Sequence, residues 1–262
     1  MGRWVVIRQV YNTVISEREM KEALYFVDPD PDLMVIPCEI PSLIEKGQRA
    51  FKNANWNKLG VLQEAIFETQ MSRFLGEPES RIAYFGLAPI PLILHLGHLL
   101  GDARKVYIFQ KDHKFDSWVW PNSDVGQAPT PRIEIEKIKN ASYGRSNKVA
   151  LLLATSYRVH EELISFEDHA EVIKINTNNL DPDLFLCMSQ LQFVSRKVGQ
   201  EILQIDEKYE RLEKIDFYAS IPGGLAFSIG QRIAPTIYPK IQTFQFYRNH
   251  EKSHVKSILL NG

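Results

Sequence analysis

Short apolar runs alternate along this chain with longer segments in which apolar residues recur at helical spacing. The run at residues 149–154 is apolar throughout, which is typical of a strand buried on both faces of a parallel sheet. Helices are predicted at residues 57–74, from the spacing of the apolar side chains, and from Asp181 to about Tyr209. Further strands are predicted at residues 4–10, 33–40, 106–109, 172–175, 243–246 and 255–260. This alternation indicates an α/β fold with mostly parallel sheets.

One part of the pattern occurs twice. Residues 82–97 align without a gap on residues 215–230. Pro89 then pairs with Pro222 and Gly97 with Gly230, and both offsets are 133 (222 − 89 and 230 − 97). Each copy predicts a strand, a turn that contains proline, and a helix, and another short strand follows each copy.

The duplication predicts two similar α/β halves, residues 1–140 and 141–262, with a link within residues 122–147. Two such halves related by a pseudo-two-fold axis present similar loops at the carboxyl ends of their strands. Open α/β sheets bind ligands at those strand ends. We therefore expect the loops of both halves to face one shared groove.

Composition excludes several classes of function. A formal net charge of −1 gives no basic field for long nucleic acid, and no apolar run is long enough to span a membrane. Cys38 and Cys187 lie far apart without a disulfide framework, which predicts a cytoplasmic protein. His95 and His98 have no Cys, Asp or Glu at ligand spacing, so neither a metal nor a cofactor is expected. Since the common nucleophile, phosphate-loop and zinc-protease motifs are absent, no enzymatic activity is expected.

Three segments are candidates for ligand binding. Two glycines between a predicted strand and helix let a ligand approach the backbone at Pro222, Gly223 and Gly224, although a tight structural turn explains them equally well. The end of the 149–154 strand combines hydroxyl groups, an aromatic ring and a guanidinium that suit ribose, base and phosphate, or simply form a polar strand end. A cation beside tryptophans also suits a nucleotide, although tryptophans are more often core residues. The full candidate set is Thr155, Ser156, Tyr157, Arg158, Pro222, Gly223, Gly224, Phe227, Lys111, Trp118, Trp120 and Pro89.

The two proline-bearing copies, together with Phe109-Gln110-Lys111, Trp118-Val119-Trp120, Phe246-Tyr247-Arg248 and the terminal Ile258-Leu259-Leu260, resemble the SAVED family. The resemblance runs from about Leu33 to the C-terminus. It implies two fused CARF-like, Rossmann-like halves that form a sensor of bacterial anti-phage systems of the CBASS and CRISPR type. Such sensors bind a cyclic oligonucleotide made by a partner synthase.

The resemblance implies an adenine-containing cyclic tri- or tetranucleotide as ligand and an anti-phage effector as the responding partner. About 30 residues precede the resemblance, too few for an effector domain, so the effector is either a separate chain or a domain removed from this module. Homo-oligomerisation on ligand binding is expected. A ring nuclease that cleaves the bound ring is the alternative, and a scaffold subunit that binds only protein is a third interpretation.

Overall fold

Two twisted sheets carry the fold in a computed structural model that describes residues 3–11, 14–40, 51, 54–112, 116–119, 130–139, 146–181, 188–247 and 253–262. The first half contains, in chain order, β1 (Trp4–Val10), α1 (Glu17–Leu24), β2 (Leu33–Pro37), α2 (Trp56–Ile66), a π-helical turn (Phe67–Met71), α3 (Ser72–Leu75), β3 (Arg81–Leu87), α4 (Ile90–Leu100), β4 (Val106–Asp112) and β5 (Ser117–Val119). The second half contains β6 (Ile133–Lys139), β7 (Lys148–Ala154), two 3-10 turns (Glu161–Leu163 and Phe166–Asp168), β8 (Glu171–Thr177), α5 (Met188–Lys208), β9 (Lys214–Ser220), α6 (Gly223–Arg232), β10 (Ile241–Phe246) and β11 (His254–Leu260).

The two sheets have the same strand order over five strands. Within the described residues the first sheet runs β2-β1-β3-β4-β5 and the second runs β11-β10-β9-β7-β8-β6. Read from β8, the second sheet repeats the first strand for strand. In each sheet the first four of these five strands are parallel and the fifth is antiparallel. The predicted α/β duplication with mainly parallel sheets is confirmed.

The central strands are apolar because helices or loops cover both of their faces. All of residues 149–154 in β7 are buried, as the continuous apolar run predicts. Strand β2, which ends at Pro37, lies at the edge of its sheet, where a residue without an amide hydrogen costs no ladder bond. Of the two predicted helices, the first is interrupted by the π-helical turn, and the second is described from Met188 onwards.

Strand β6 was not predicted from the sequence. Its residues fall in the stretch expected to link the halves, but they pair antiparallel with β8 from Ile133 to Lys139. Three isoleucines are interspersed with charged residues, and most of the strand is exposed, as suits a sheet edge. The division at residue 140 stays a prediction. Sheet membership supports the proposal that the halves divide between Val119 and Ile133.

Helices α4 and α6 hold the halves together through two equivalent glycines. A methyl group added at Gly97 would collide with the backbone oxygen of Phe227, and one added at Gly230 would collide with the backbone oxygen of Leu94. These contacts are reciprocal, since 227 − 94 and 230 − 97 both equal 133. The pseudo-two-fold axis therefore passes through this helix crossing, and glycine is required there because the two backbones touch.

Candidate ligand-binding cavity

A cavity of about 370 Å³ lies where the carboxyl ends of the two sheets meet. The first half lines it with the ends of β3, β4 and β5 and the start of α4, and the second half with the ends of β7, β9 and β10 and the start of α6. The lining residues are 86–88, 90, 93, 110–112, 119, 156–157, 219–224 and 245–246. The expected arrangement, in which the strand-end loops of both halves face one space, is present.

The starts of α4 and α6 reach this cavity in equivalent positions, but their free amides differ. Pro89 and Pro222 precede the helices, and no side chain caps either one. In α6 the amides of Gly223, Gly224 and Leu225 have no acceptor in the described part of the chain. In α4 Pro91 has no amide hydrogen, and Leu92 donates to the Pro89 oxygen at 3.0 Å. The second half therefore presents the stronger anion site of the two.

Thr155 and Ser156 lie beside the start of α6. Their backbone amides both donate to the Ser220 oxygen at 3.0 Å, which places the end of β7 against the turn that contains Pro222. Thr155 is 1% exposed and Ser156 is 6% exposed. Neither hydroxyl oxygen has a hydrogen-bond partner among the described residues, and Ser156 lines the cavity. A buried hydroxyl without a partner indicates a place for a polar ligand.

Lys111 lines the cavity from the first half, but its ammonium lies beside Asp116 and Trp118, on the other face of β4 from the Gln110 side chain. Its Nζ lies 2.8 Å from Oδ1 of Asp116 and 5.8 Å from the centre of the Trp118 ring. Because the Asp116 side chain is 91% exposed, water screens this ion pair, and a phosphate can compete for the ammonium.

Five of the predicted residues, Thr155 among them, do not line the cavity, and a sixth lies outside the described residues. Arg158 points away from the cavity and pairs with Glu162 at 2.7 Å. Phe227 is fully buried and stacks on Tyr84 with a centroid separation of 3.9 Å, because its face of α6 packs into the core. Trp118 packs edge-on against Phe85. Pro89 precedes α4 without lining the cavity, and Trp120 lies outside the described residues.

The carboxylate that holds Arg158 stays ionised to low pH. Hydrogen bonds from His160, from its own backbone amide and from Arg158 lower the pKa of Glu162 to about 2. His160 also stacks on Phe246, with centroids 4.9 Å apart, so that this surface cluster adjoins the cavity wall. Burial lowers the pKa of the neighbouring His254 and raises that of Tyr218. These two rings are therefore neutral near pH 7.

Two glutamines in the cavity were missed by the sequence analysis. The pairing of β3 with β4 and of β9 with β10 makes Phe109 equivalent to Phe244, so Gln110 is equivalent to Gln245. The offset at these positions is 135 (245 − 110) rather than 133, because the second copy has two more residues between helix and strand. Continuing the repeat alignment across that insertion would have found both glutamines. Phe246, also missed, is the equivalent of Lys111.

The side chain of Gln110 reaches from the first half to Gly224 of the second half. A Cβ atom at Gly224 would lie 2.8 Å from Oε1 of Gln110 and equally close to its Cγ, so the missing side chain at Gly224 leaves the space that Gln110 occupies. Among the described residues there is no cluster of three metal-ligating side chains, and no helix is long and apolar enough to cross a membrane.

The duplicated sheets, with one cavity at their joint strand ends, define a ligand-binding domain of the Rossmann-like class. The family model for SAVED, described as the SMODS-associated and fused to various effectors sensor domain, matches residues 67–260. The chain belongs to this family, as the resemblance in its sequence predicts. A search of curated proteins found no match.

Solved structures share the fold at low sequence identity. Two are the Cap4 SAVED/CARF-domain containing receptor of Acinetobacter baumannii, one with the cyclic trinucleotide 3′3′3′-cAAA (TM-score 0.62, 13% identity, 98% of this chain and 52% of that chain) and one with 2′3′3′-cAAA (0.62, 10%, 100% and 52%). A third is the Cap4 receptor of Moraxella osloensis (0.53, 11%, 97% and 49%). The chain spans about half the length of these proteins. At such identities the likeness shows the fold alone.

Proposed function

We propose that this chain is a receptor that binds a cyclic oligonucleotide in the cavity between its halves. One observation carries the proposal: Ser156, whose hydroxyl has no partner among the described residues, and the start of α6 line the same cavity as Gln110 and Lys111 of the first half. Phosphates and riboses need these donors, and a ring that displays several phosphates can contact both sets at once. Membership of a sensor-domain family supports this function.

The ligand we propose is an adenine-containing cyclic tri- or tetranucleotide. Two structures of the Acinetobacter baumannii Cap4 receptor, which shares this fold, are complexes with the cyclic trinucleotides 3′3′3′-cAAA and 2′3′3′-cAAA.

The decisive experiment is calorimetry of the purified chain against cyclic di-, tri- and tetranucleotides, with linear triadenylate as the comparison. We expect micromolar or tighter binding of one cyclic ring and at least tenfold weaker binding of the linear form, because a closed ring loses less conformational freedom on binding. If every ring fails to bind at micromolar concentration, the receptor function is wrong. Chromatography of the same samples is expected to return intact ring. Linear product would instead support the ring-nuclease alternative.

We further propose that binding is reported to an anti-phage effector through assembly of the receptor. A ligand shifts only equilibria between states that it binds differently. The two halves are alike but not identical, since Lys111 of one half is equivalent to Phe246 of the other. The first half of one molecule can therefore dock against the second half of the next, and such a heterologous contact builds rings or filaments.

Light scattering with and without the ring tests this assembly. We expect the molar mass to rise on addition of saturating ring and to return when the ring is removed. A monomer of unchanged mass would contradict assembly, and the signal would then leave by direct contact with an effector chain.

A further inference from the structure

Gln245 differs from the other partnerless groups of the cavity in what it can bind. The hydroxyl of Ser156 can donate or accept a hydrogen bond, so it suits almost any polar ligand atom. The buried atom of Gln245 that has no partner among the described residues is Oε1, which can only accept. An acceptor of this kind discriminates between ligands that carry a donor and ligands that do not.

The orientation of the Gln245 amide is fixed by chemistry. Its Nε2 donates to the backbone oxygen of Phe246 at 3.0 Å. Because a backbone oxygen only accepts, the amide nitrogen has to face it, and a flipped amide would bring two oxygens together. The oxygen of the side chain is therefore the atom left without a partner, at a position that lines the cavity.

The equivalent glutamine of the first half is held differently. Gln110 lies against Gly224 of the second half, in the space that a side chain at that position would fill. The two halves thus present unlike amides to the cavity, although the strand register makes the positions equivalent. Of this pair, Gln245 has the buried oxygen without a partner.

Gln245 also stands next to an aromatic surface. Phe246 lines the cavity, and its ring is held by stacking on His160 with an interplanar angle of 13°. Successive residues of a strand point to opposite faces of the sheet, so this ring and the Gln245 amide lie on opposite faces of β10, and recognition of a polar base edge falls to the amide.

From this geometry we propose that Gln245 selects the base of the ligand. Its Oε1 accepts a hydrogen bond from an exocyclic amino group, which is N6 in adenine, and it disfavours a base with a carbonyl oxygen at that place. The inference rests on the proposed function, since it names what one residue of the receptor cavity recognises. A site built to receive a donor rejects the analogue without one, because its buried acceptor then stays unpaired.

The test compares a cyclic triadenylate with the same ring carrying hypoxanthine, in which a carbonyl oxygen replaces the amino group. Calorimetry should give the wild-type protein a preference for adenine of about tenfold or more, as expected for one buried hydrogen bond. Gln245→Met, which keeps the size of the side chain and removes the acceptor, should bind both rings within about twofold. Gln200→Met on the exposed face of α5 is the matched control and should keep the wild-type preference.

The outcomes separate the two proposals. If wild type binds both rings equally, or if Gln245→Met keeps the full preference, base selection by Gln245 is wrong while the receptor function stands. If neither ring binds wild type, and the wider panel of rings fails as well, both proposals fail. The wild-type comparison does not require the variant to fold, and the melting temperature of Gln245→Met shows whether its result can be used.

Discussion

At the scale of single residues, the cavity carries polar atoms that a folded protein ordinarily pairs. A buried acceptor or hydroxyl without a partner costs about 1–3 kcal/mol, and Ser156 and Gln245 each contribute such an atom. Both belong to the second half. A ligand that supplies their partners recovers this free energy, and it therefore stabilises the folded chain as it binds.

The buried His95 leads to a prediction of how the stability of the fold depends on pH. Burial in α4, with a smaller effect of the nearby His98, lowers the pKa of His95 to about 4, although the half-exposed carboxylate of Glu64 lies 3.3 Å from Nε2 and favours the charged ring. Burial therefore outweighs the carboxylate. Since the pKa is lower in the folded than in the unfolded chain, the unfolded chain takes up the proton first as the pH falls. Stability is full above about pH 6.5 and is lost towards pH 4.

Urea denaturation at a series of pH values measures this effect. Wild type should lose about 3 kcal/mol through this histidine between pH 7 and pH 4, from the lowered pKa alone. His95→Gln should have a smaller slope of unfolding free energy against pH over the same interval. Equal slopes for the two proteins would show that His95 does not titrate in this way.

At the scale of elements, the helix crossing of α4 and α6 predicts a large effect of one methyl group. Gly97→Ala or Gly230→Ala would press a Cβ atom against the backbone of the opposite helix, which cannot move aside as a flexible side chain can. We expect either change to lower the free energy of unfolding by about 2–3 kcal/mol, as overpacking in a core does.

Gly60→Ala is the matched control for this prediction, because it is also a helix-interior change. A Cβ atom there would lie at an ordinary 3.8 Å from the His95 ring, and the variant should be as stable as wild type or slightly more stable. Denaturation curves of Gly97→Ala, Gly230→Ala and Gly60→Ala give the free energies of unfolding to be compared with that of wild type. A Gly97→Ala protein as stable as Gly60→Ala would mean that the helices do not touch.

Elements were more predictable from sequence than the site was. Proline, glycine and apolar spacing recur in both copies of the repeat, so β3 with α4 and β9 with α6 could be predicted together. Strand β6 could not be predicted, because isoleucines interspersed with charged residues beside a Pro/Gly-rich loop also suit a linker. The site was harder to predict. Phe227, for example, was expected to contact the ligand, and only the packing of α6 shows that this side chain points into the core. Gln245 was predictable in principle, because it lies on the repeat beyond a two-residue insertion.

At the scale of the whole molecule, the duplication brings two sets of strand ends to a shared cavity. The Gly97–Gly230 crossing sets the halves so that their strand ends converge on a single cavity. Residues of both halves line it: Ser156 and the start of α6 come from one, and Gln110 and Lys111 come from the other. A ligand of this chain should therefore depend on both halves at once.

The most direct test of this joint site is calorimetry of the cyclic ring that binds best, with one variant from each half. We predict one ring per chain, and about tenfold weaker binding for both Ser156→Ala and Lys111→Met, because each removes a hydrogen bond or charge that would meet a phosphate of the proposed ligand. Ser72→Ala and Lys58→Met, at exposed positions away from the cavity, should bind as wild type does. Two rings per chain, or a loss confined to the variant of one half, would contradict a single cavity shared by the two halves.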